Sequence, residues 1–286
     1  MNSENKTPYT CPYCGKDLVI LVIKTETGEY GAVLGCSDYP YCKYIKPLEE
    51  KKSSAKEQMN PERKAVVLLS GGIDSAVSAG IAKKAGYELF GLSFDYGQTH
   101  KWELESAKKI AHHLGFSQHI IFPLPINQFG GSALLGDGEL PKARTEAEIK
   151  EIPRTYVPAR NLIFLSIGLG WAEASQADAV VLGAHTIDYS GYPDCRPEFI
   201  DAFQKVAILG TKAGAERRLI RIWAPVIHLS KVEIIKTGIE LGVDFSLTFS
   251  CYDPDERGRA CGQCDSCQIR KKAFRDANIP DPIIYR

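Results

Sequence analysis

A chain of 286 residues with 44% apolar content has room for one large domain plus a small appendage and can bury a sizeable core, which excludes a disordered chain. Lys plus Arg and Asp plus Glu number 35 each, so no global positive field would draw the protein onto nucleic acid. The first residues lack a basic stretch followed by an apolar core and a cleavage site, and no apolar run approaches the roughly 20 residues that span a bilayer, so a cytoplasmic protein with no membrane partner is expected.

The chain opens on a short module holding Cys11, Cys14, Cys36 and Cys42 in the pattern C-x2-C-x21-C-x5-C. Eight of the nine cysteines fall into two such groups of four, which in a cytosolic setting favours metal over disulfides; Cys195 stands alone. Residues 49–63, "EEKKSSAKEQMNPER", are charged, polar and free of aromatic or β-branched residues, as a solvated linker is. The expected organisation is therefore a small module over 1–48, a linker over 49–63 and a main domain over 64–286.

In the main domain, apolar runs alternate with helical patterns, which predicts βαβ units and an open, mostly parallel sheet of Rossmann-like α/β type. The first strand, 65–69, leads through "SGGIDS" into a helix over 74–85 that Gly86 closes. A strand over 89–97 precedes the helix "KWELESAKKIAHHLG", in which Leu104, Ala107, Ile110, Ala111 and Leu114 keep helical spacing and His112 and His113 form a half-exposed pair. The strand "HIIFPL" is followed by a Gly- and Pro-rich stretch over 125–159 that is too long for an ordinary connection and reads as a functional loop or lid. A long helix over 160–177, the strand "AVVLGA", the loop "HTIDYSGYPDCRPE", a helix near 197–208 and the strand "IRIWAP" follow. The last helix identified opens at Ser230, which with Glu233 has the spacing of a capping box.

Between the first strand and its helix, Gly71 and Gly72 remove Cβ atoms so that backbone N–H groups can face an anion at a helix N-terminus. Ser70 and Ser75 add hydroxyls, and Asp74 suggests a magnesium ligand. The loop lacks the Lys that ordinary P-loops hold on the β and γ phosphates for γ-phosphoryl transfer, so a different phosphate bond is at stake.

"SGGIDS" after a strand resembles the SGGxDS signature of the ATP pyrophosphatases, which release pyrophosphate and adenylate a carboxylate or amide oxygen. "LSFDYGQTH", "GGSAL", "TYVPARN", "DYSGYPDCRPEF" and "HLSKVEIIKTG", with the final Cys group, resemble the 7-cyano-7-deazaguanine synthase family from about residue 64 to 286. The resemblance implies an ATP-dependent carbon–nitrogen ligase of queuosine or archaeosine precursor biosynthesis. It would turn 7-carboxy-7-deazaguanine and ammonia into the nitrile with two ATP, and would be a homodimer. It also implies that Ser70, Gly71, Gly72, Asp74, Ser75 and Phe94 bind ATP, pyrophosphate and Mg2+, that Lys231 supplies the charge the loop lacks, and that Arg160 clamps phosphate. A purine-like ring bearing a carboxylate calls for an aromatic platform, a carboxylate acceptor and an Arg, roles that fit Tyr189, Tyr192, Asp188, Asp194 and Arg196. Tyr96, Gln98 and His100 are further candidates for contact with nucleotide or substrate, although a structural role fits His100 equally. A thioester at Cys195 is unnecessary if AMP is the leaving group.

Cys251, Cys261, Cys264 and Cys267 give C-x9-C-x2-C-x2-C, a spacing that closes a tetrahedral Zn2+ site with no open position for water. The N-terminal module resembles the zinc ribbons of type I DNA topoisomerases, which would make a second Zn2+ site and which the synthase family ordinarily lacks. Six tyrosines there could stack on single-stranded nucleic acid, but five Lys balance five acidic residues, so a ribbon that docks a protein or merely stabilises the fold is an equal reading. The alternative function is that of similar proteins in phage defence, in which the activated deazaguanine is joined to a protein amine held by the ribbon. A tRNA-modifying enzyme is a third reading.

Overall fold

A computed structural model of the chain describes residues 16–24, 30–39, 42, 44–47, 63–136, 152–186 and 192–286. The chain divides into two compact units, Met1–Met59 and Asn60–Arg286.

In the first unit, β1 (Leu18–Lys24), β2 (Tyr30–Cys36) and β3 (Ile45–Pro47) form an antiparallel sheet in the order β1-β2-β3. Cys36 ends β2, is fully buried beside Leu18, and has Cys42 and Tyr44 packed against it. The Asp38 amide donates to Cys36 Sγ at 3.4 Å, and Cys36 N donates to Tyr44 O at 3.0 Å. Cys11 and Cys14 lie outside the described residues.

The second unit carries a five-stranded, wholly parallel sheet, the predicted fold class. Its strands are β4 (Arg63–Leu68), β5 (Tyr87–Asp95), β6 (Gln118–Pro123), β7 (Ala179–Leu182) and β8 (Arg221–Trp223), in the spatial order β6-β5-β4-β7-β8. Strands buried on both faces need apolar residues of both parities, and β4 supplies them. Ala65 and Val67, with Leu69 just past the strand, enter one core with α1 (Ile73–Lys84) and α2 (Trp102–Leu114), while Val66 and Leu68 enter the other with α3 (Arg160–Ala174). The second core also holds Ile200, Phe203 and Ala207 of α4 (Pro197–Gly210), which a short helix α5 (Lys212–Ala215) follows. The first core takes Ile234 and Ile235 of α6 (Lys231–Glu240) and Ala273 and Phe274 of α7 (Asp265–Asp276).

Local chemistry accounts for the boundaries. The five residues spaced along α2 are the ones it buries. The Ser230–Glu233 capping box at the start of α6 is complete, with Ser230 N donating to Glu233 Oε2 at 2.7 Å and Glu233 N to Ser230 Oγ at 3.3 Å. α3 stops at Ala174 rather than 177 because the chain turns at Gln176, whose φ is +57°. The segment after β6 forms two short 3-10 turns, Ile126–Phe129 and Ala133–Leu135, and residues 137–151 lie outside the described ones. Among the described residues no helix is long and apolar enough to cross a membrane.

Strand order reverses between β4 and β7, and at such a switch point a crevice opens at the carboxyl ends of the strands. Both flanking connections end there: the SGG loop after β4 and residues 183–186 after β7.

Candidate active site

The two serines of the loop order it before any ligand is considered. Ser70 Oγ and Ser75 Oγ are 3.0 Å apart, Ser75 Oγ donates to Gly72 O at 3.0 Å, and Gly72 N donates to Ser70 Oγ at 3.3 Å. Gly71 has φ +88°, and a Cβ there would run into the carbonyl oxygen of Glu103, so glycine lets α2 pack directly on the loop. A Cβ at Gly183 would lie 2.5 Å from Ser75 N, so glycine at that position also lets the end of β7 press against the first turn of α1.

These approaches bring distant residues together at the carboxylate of Asp74. Lys231 Nζ, 157 residues away at the first position of α6, donates to Asp74 Oδ1 at 2.6 Å and Oδ2 at 2.7 Å. His185 Nδ1 stands 3.4 Å from Asp74 Oδ2, with the imidazole Nε2 buried. Burial raises the pKa of Asp74, but Lys231 and then His185 outweigh it and hold the carboxyl well below the usual carboxylate range.

The loop forms one wall of a cavity of about 300 Å³. Phe94 and Tyr96 from the end of β5, Glu103 from α2, Arg160, Asn161 and Phe164 from α3, and Tyr192 and Cys195 line it, with Phe249, Tyr252 and Arg270 from the C-terminal segment. The wall has an aromatic side, in which Phe94 stacks on Phe164 at 3.9 Å and 11°, with Tyr96 5.7 Å from Phe164. Beside it lies a polar corner. Tyr96 Oη is 3.5 Å from Glu103 Oε1, and burial pushes the Glu103 carboxyl up to about 7, although Arg160, Gln98 and Tyr96 pull the other way. Burial and then Glu103 push the Tyr96 phenol well above its ordinary value.

Arg160 reaches the cavity through a turn at Ala159, whose φ of +54° is unusual for a residue with a Cβ and costs about 1 kcal/mol. The turn is held from the other side. Asn161 N donates to Asp194 Oδ2 at 2.9 Å, and Asn161 Nδ2 donates to Asp194 O at 3.2 Å and Cys195 Sγ at 3.2 Å. The segments "VPARN" and "PDCR" are thereby fixed to one another. Asp194 is buried in that role rather than facing the cavity.

Of the other residues singled out in the sequence, Gln98 accepts from Tyr96 N at 2.8 Å, His100 packs edge-on against Phe249 at 5.4 Å, and Arg196 precedes α4 as an exposed N-cap; none of the three lines the cavity. Asp188 and Tyr189 lie outside the described residues. Burial, then Asp194, pushes the Cys195 thiol up to about 12, so it stays protonated at neutral pH and is a poor nucleophile. His113 is exposed and meets Gly242 O at 3.1 Å; His112 is exposed too. Sequence reasoning missed Glu103, which sits in the charged run "KWELE" that reads as a solvated helix start, and the contact of His185 with Asp74. Glycine at 71 is the one local signal that a helix would lie against the loop.

Residues beside the C-terminal cysteines, within Phe249 to Tyr252 and Asp265 to Arg270, supply the site's floor. The ligand atoms of Cys251, Cys261, Cys264 and Cys267 all lie within 4.8 Å of one another, and Cys261 Sγ is 3.9 Å from Cys267 Sγ. A tetrahedron of thiolates about 2.3 Å from a zinc ion has edges of about 3.8 Å, so the four fit a metal. Backbone amides of Asp253, Cys261, Gln263 and Cys264 point at these sulfurs at 3.1 to 3.3 Å, as they would toward thiolates. The same segment is anchored by Arg270, 2% exposed, which donates to Asp281 at 2.9 to 3.1 Å, to Thr248 Oγ1 at 2.7 Å and to Phe245 O at 3.1 Å.

Residues 64–278 match the family model described as "Queuosine biosynthesis protein QueC". A 7-cyano-7-deazaguanine synthase from Desulfatibacillum aliphaticivorans is 55% identical over 226 residues, 78% of this chain and 97% of that protein. Proteins of the same name from Coxiella burnetii and Pseudomonas paraeruginosa are 54% and 52% identical over 224 residues, again 78% of this chain and 98% and 99% of theirs. These relatives are matched nearly whole, so the N-terminal unit is additional to them.

Proposed function

The chain belongs to the QueC family of queuosine biosynthesis proteins, and from that premise we propose that it adenylates 7-carboxy-7-deazaguanine and converts it with ammonia to 7-cyano-7-deazaguanine. The observation that supports this most directly is the closure of Lys231 onto Asp74 beside the SGG loop. It puts a cation where the loop itself has none, at the place where a pyrophosphate would depart.

A carboxylate is a poor electrophile because its leaving group would be oxide, so attachment of AMP supplies a leaving group and ammonia then attacks. The amide oxygen is activated by a second ATP in the same way, and loss of AMP and a proton leaves the nitrile. The protein's part is positioning and charge stabilisation. Ser70, Gly71, Gly72 and Ser75 cradle the pyrophosphate, Lys231 and Arg160 carry positive charge to it, and Phe94 with Phe164 offers a flat apolar face to a ring. One carboxylate plus phosphate oxygens is a usual donor set for Mg2+, so Asp74 fits as its ligand; the ion would supply further charge to the departing group. The C-terminal Cys group would hold a structural Zn2+, and Cys36 and Cys42, with Cys11 and Cys14, a second.

The additional N-terminal unit favours a second reading, in which a docked protein amine takes the place of ammonia. Incubation with ATP, 7-carboxy-7-deazaguanine and ammonium, followed by mass spectrometry, separates the two. A free nitrile at good turnover is expected; a mass increment on a partner protein with no free nitrile would sink the first reading. Asp74→Ala should lose pyrophosphate release by at least about 10²-fold while staying folded. Retained release would refute the assignment of Asp74.

A further inference from the structure

Among the described residues three carboxylates line the cavity, and they are not equivalent. Asp74 grips Lys231 through both oxygens, and Asp265 adjoins Cys264 at the start of α7. Glu103 is different: its backbone carbonyl abuts Gly71 of the phosphate loop while its side chain enters the cavity beside Tyr96 and Arg160. A carboxylate so placed lines the same cavity as the loop from which pyrophosphate would leave, the cavity that would also hold the activated carbon. We propose that Glu103 accepts the protons shed by the substrate nitrogen after the first adenylation, an inference that rests on the synthase reading above.

The chemistry needs such a group at specific steps. Adenylation of the carboxylate forms an O–P bond and expels pyrophosphate without releasing a proton. When ammonia forms its bond to the acyl carbon, the bond to AMP breaks, AMP leaves with the electron pair, and nitrogen sheds one proton. When the amide oxygen attacks the α-phosphorus of the second ATP, pyrophosphate leaves and nitrogen sheds a second proton. The carbon–oxygen bond of that adduct then breaks, AMP leaves with its electrons, and the carbon–nitrogen triple bond closes as the last proton departs. All three protons come from a nitrogen on one carbon, so one fixed acceptor suffices if it releases each proton to solvent between steps.

Groups around Glu103 match that demand. Tyr96 and Gln98 face it from the end of β5 and the turn after it, and Arg160 from α3. With the carboxyl pushed up to about 7 by burial, both its forms are populated near neutral pH, the condition under which proton transfer is most effective. Elsewhere in the lining Cys195 keeps its proton, and His185 turns Nδ1 to Asp74 while its Nε2 is buried with no hydrogen-bond partner among the described residues.

The test uses the full-length chain with ATP, 7-carboxy-7-deazaguanine and ammonium. In Glu103→Gln, pyrophosphate release in the first turnover is expected to stay within about threefold of wild type, while nitrile formation falls by about 10²- to 10⁴-fold. Measured at constant free ammonia, nitrile formation by the wild type should decline as pH drops below about 7, where Glu103 protonates, and that acid limb should vanish in Glu103→Gln. Glu103→Asp, which keeps a carboxylate but withdraws it, should keep the acid limb at a reduced rate. Nitrile formation within threefold of wild type in Glu103→Gln, or an acid limb that persists in it, overturns the proposal. So does equal loss of pyrophosphate release in a variant with an unchanged unfolding midpoint, because Glu103 would then serve nucleotide binding. A wild type that makes neither amide nor nitrile sinks the synthase reading itself, and this one with it.

Discussion

The two groups of four cysteines have similar sequence signatures but different surroundings. The C-terminal group shares its segment with the cavity: Phe249, Ser250 and Tyr252 flank Cys251, and Asp265, Ser266, Ile269 and Arg270 follow Cys264, all as lining residues. The family match runs across it. Cys36 and Cys42 belong to a separate compact unit outside that match, where Leu18 and Cys36 are the buried pair around which a small sheet is built. Cysteine spacing announces a metal site, but its relation to catalysis is set by what the neighbouring residues touch.

Removing a ligand from the C-terminal group should therefore give the largest effect. Cys264→Ser is expected to abolish nitrile formation and to lower the unfolding midpoint by roughly 10 °C, since each kcal/mol is worth about 2–4 °C in a domain of this size. Zinc content by atomic absorption and the midpoint by calorimetry check it. A fully active, zinc-depleted variant would break the comparison, because the C-terminal group would then be no closer to catalysis than the N-terminal one.

Arg270→Met asks whether the same floor is held by the clamp as well as by the sulfurs. It leaves the Asp281 carboxylate, 12% exposed, without its guanidinium, and losing one partner of a buried pair costs about 3–5 kcal/mol. Denaturant unfolding should show that loss with zinc content unchanged.

How far these features were legible in the sequence follows from the range of the forces behind them. Helix α2, its five buried residues and the Ser230–Glu233 cap are short-range matters of periodicity and one hydrogen-bond pair, and they are readable. Family motifs carried Lys231 and Arg160 to the site. Glu103, His185 and Arg270 were out of reach because each is placed by long-range packing: Gly71 under α2, Gly183 against α1, and the tail folding back so that Asp281 meets α7. Gln204 shows the same limit. It lies in an ordinary helical pattern, yet its side chain is buried and bonds Ile220 O at 3.1 Å and Ile222 N at 2.8 Å, pinning the short edge strand β8.

A smaller effect is expected at the loop itself. With its pKa depressed on folding, Asp74 contributes stability that is fully present above the unfolded value of about 3.9 and is lost as pH falls toward its folded value. Asp74→Asn should lack this contribution, so the gap in unfolding midpoint between it and wild type should be constant above about pH 5 and shrink below pH 4. A gap that does not change with acid would mean that Lys231 does not hold the ionised carboxylate. Zinc content should be the same in both proteins, since Asp74 is not among the sulfur ligands.

The smallest effect belongs to the N-terminal group, and it decides what that unit is for. Cys36→Ser removes a fully buried sulfur from the first unit while leaving residues 64–278, which match the family, untouched. Relatives that are 97–99% covered by the alignment have no counterpart of this unit, so it has no necessary part in the chemistry named for them. Nitrile formation should then stay within about twofold of wild type, about 0.4 kcal/mol in activation free energy. Zinc content should fall by one equivalent if the group holds a metal. A tenfold loss of nitrile formation with the main unfolding transition unmoved would instead tie the N-terminal unit to turnover, and the contrast between the two cysteine groups would be one of position alone.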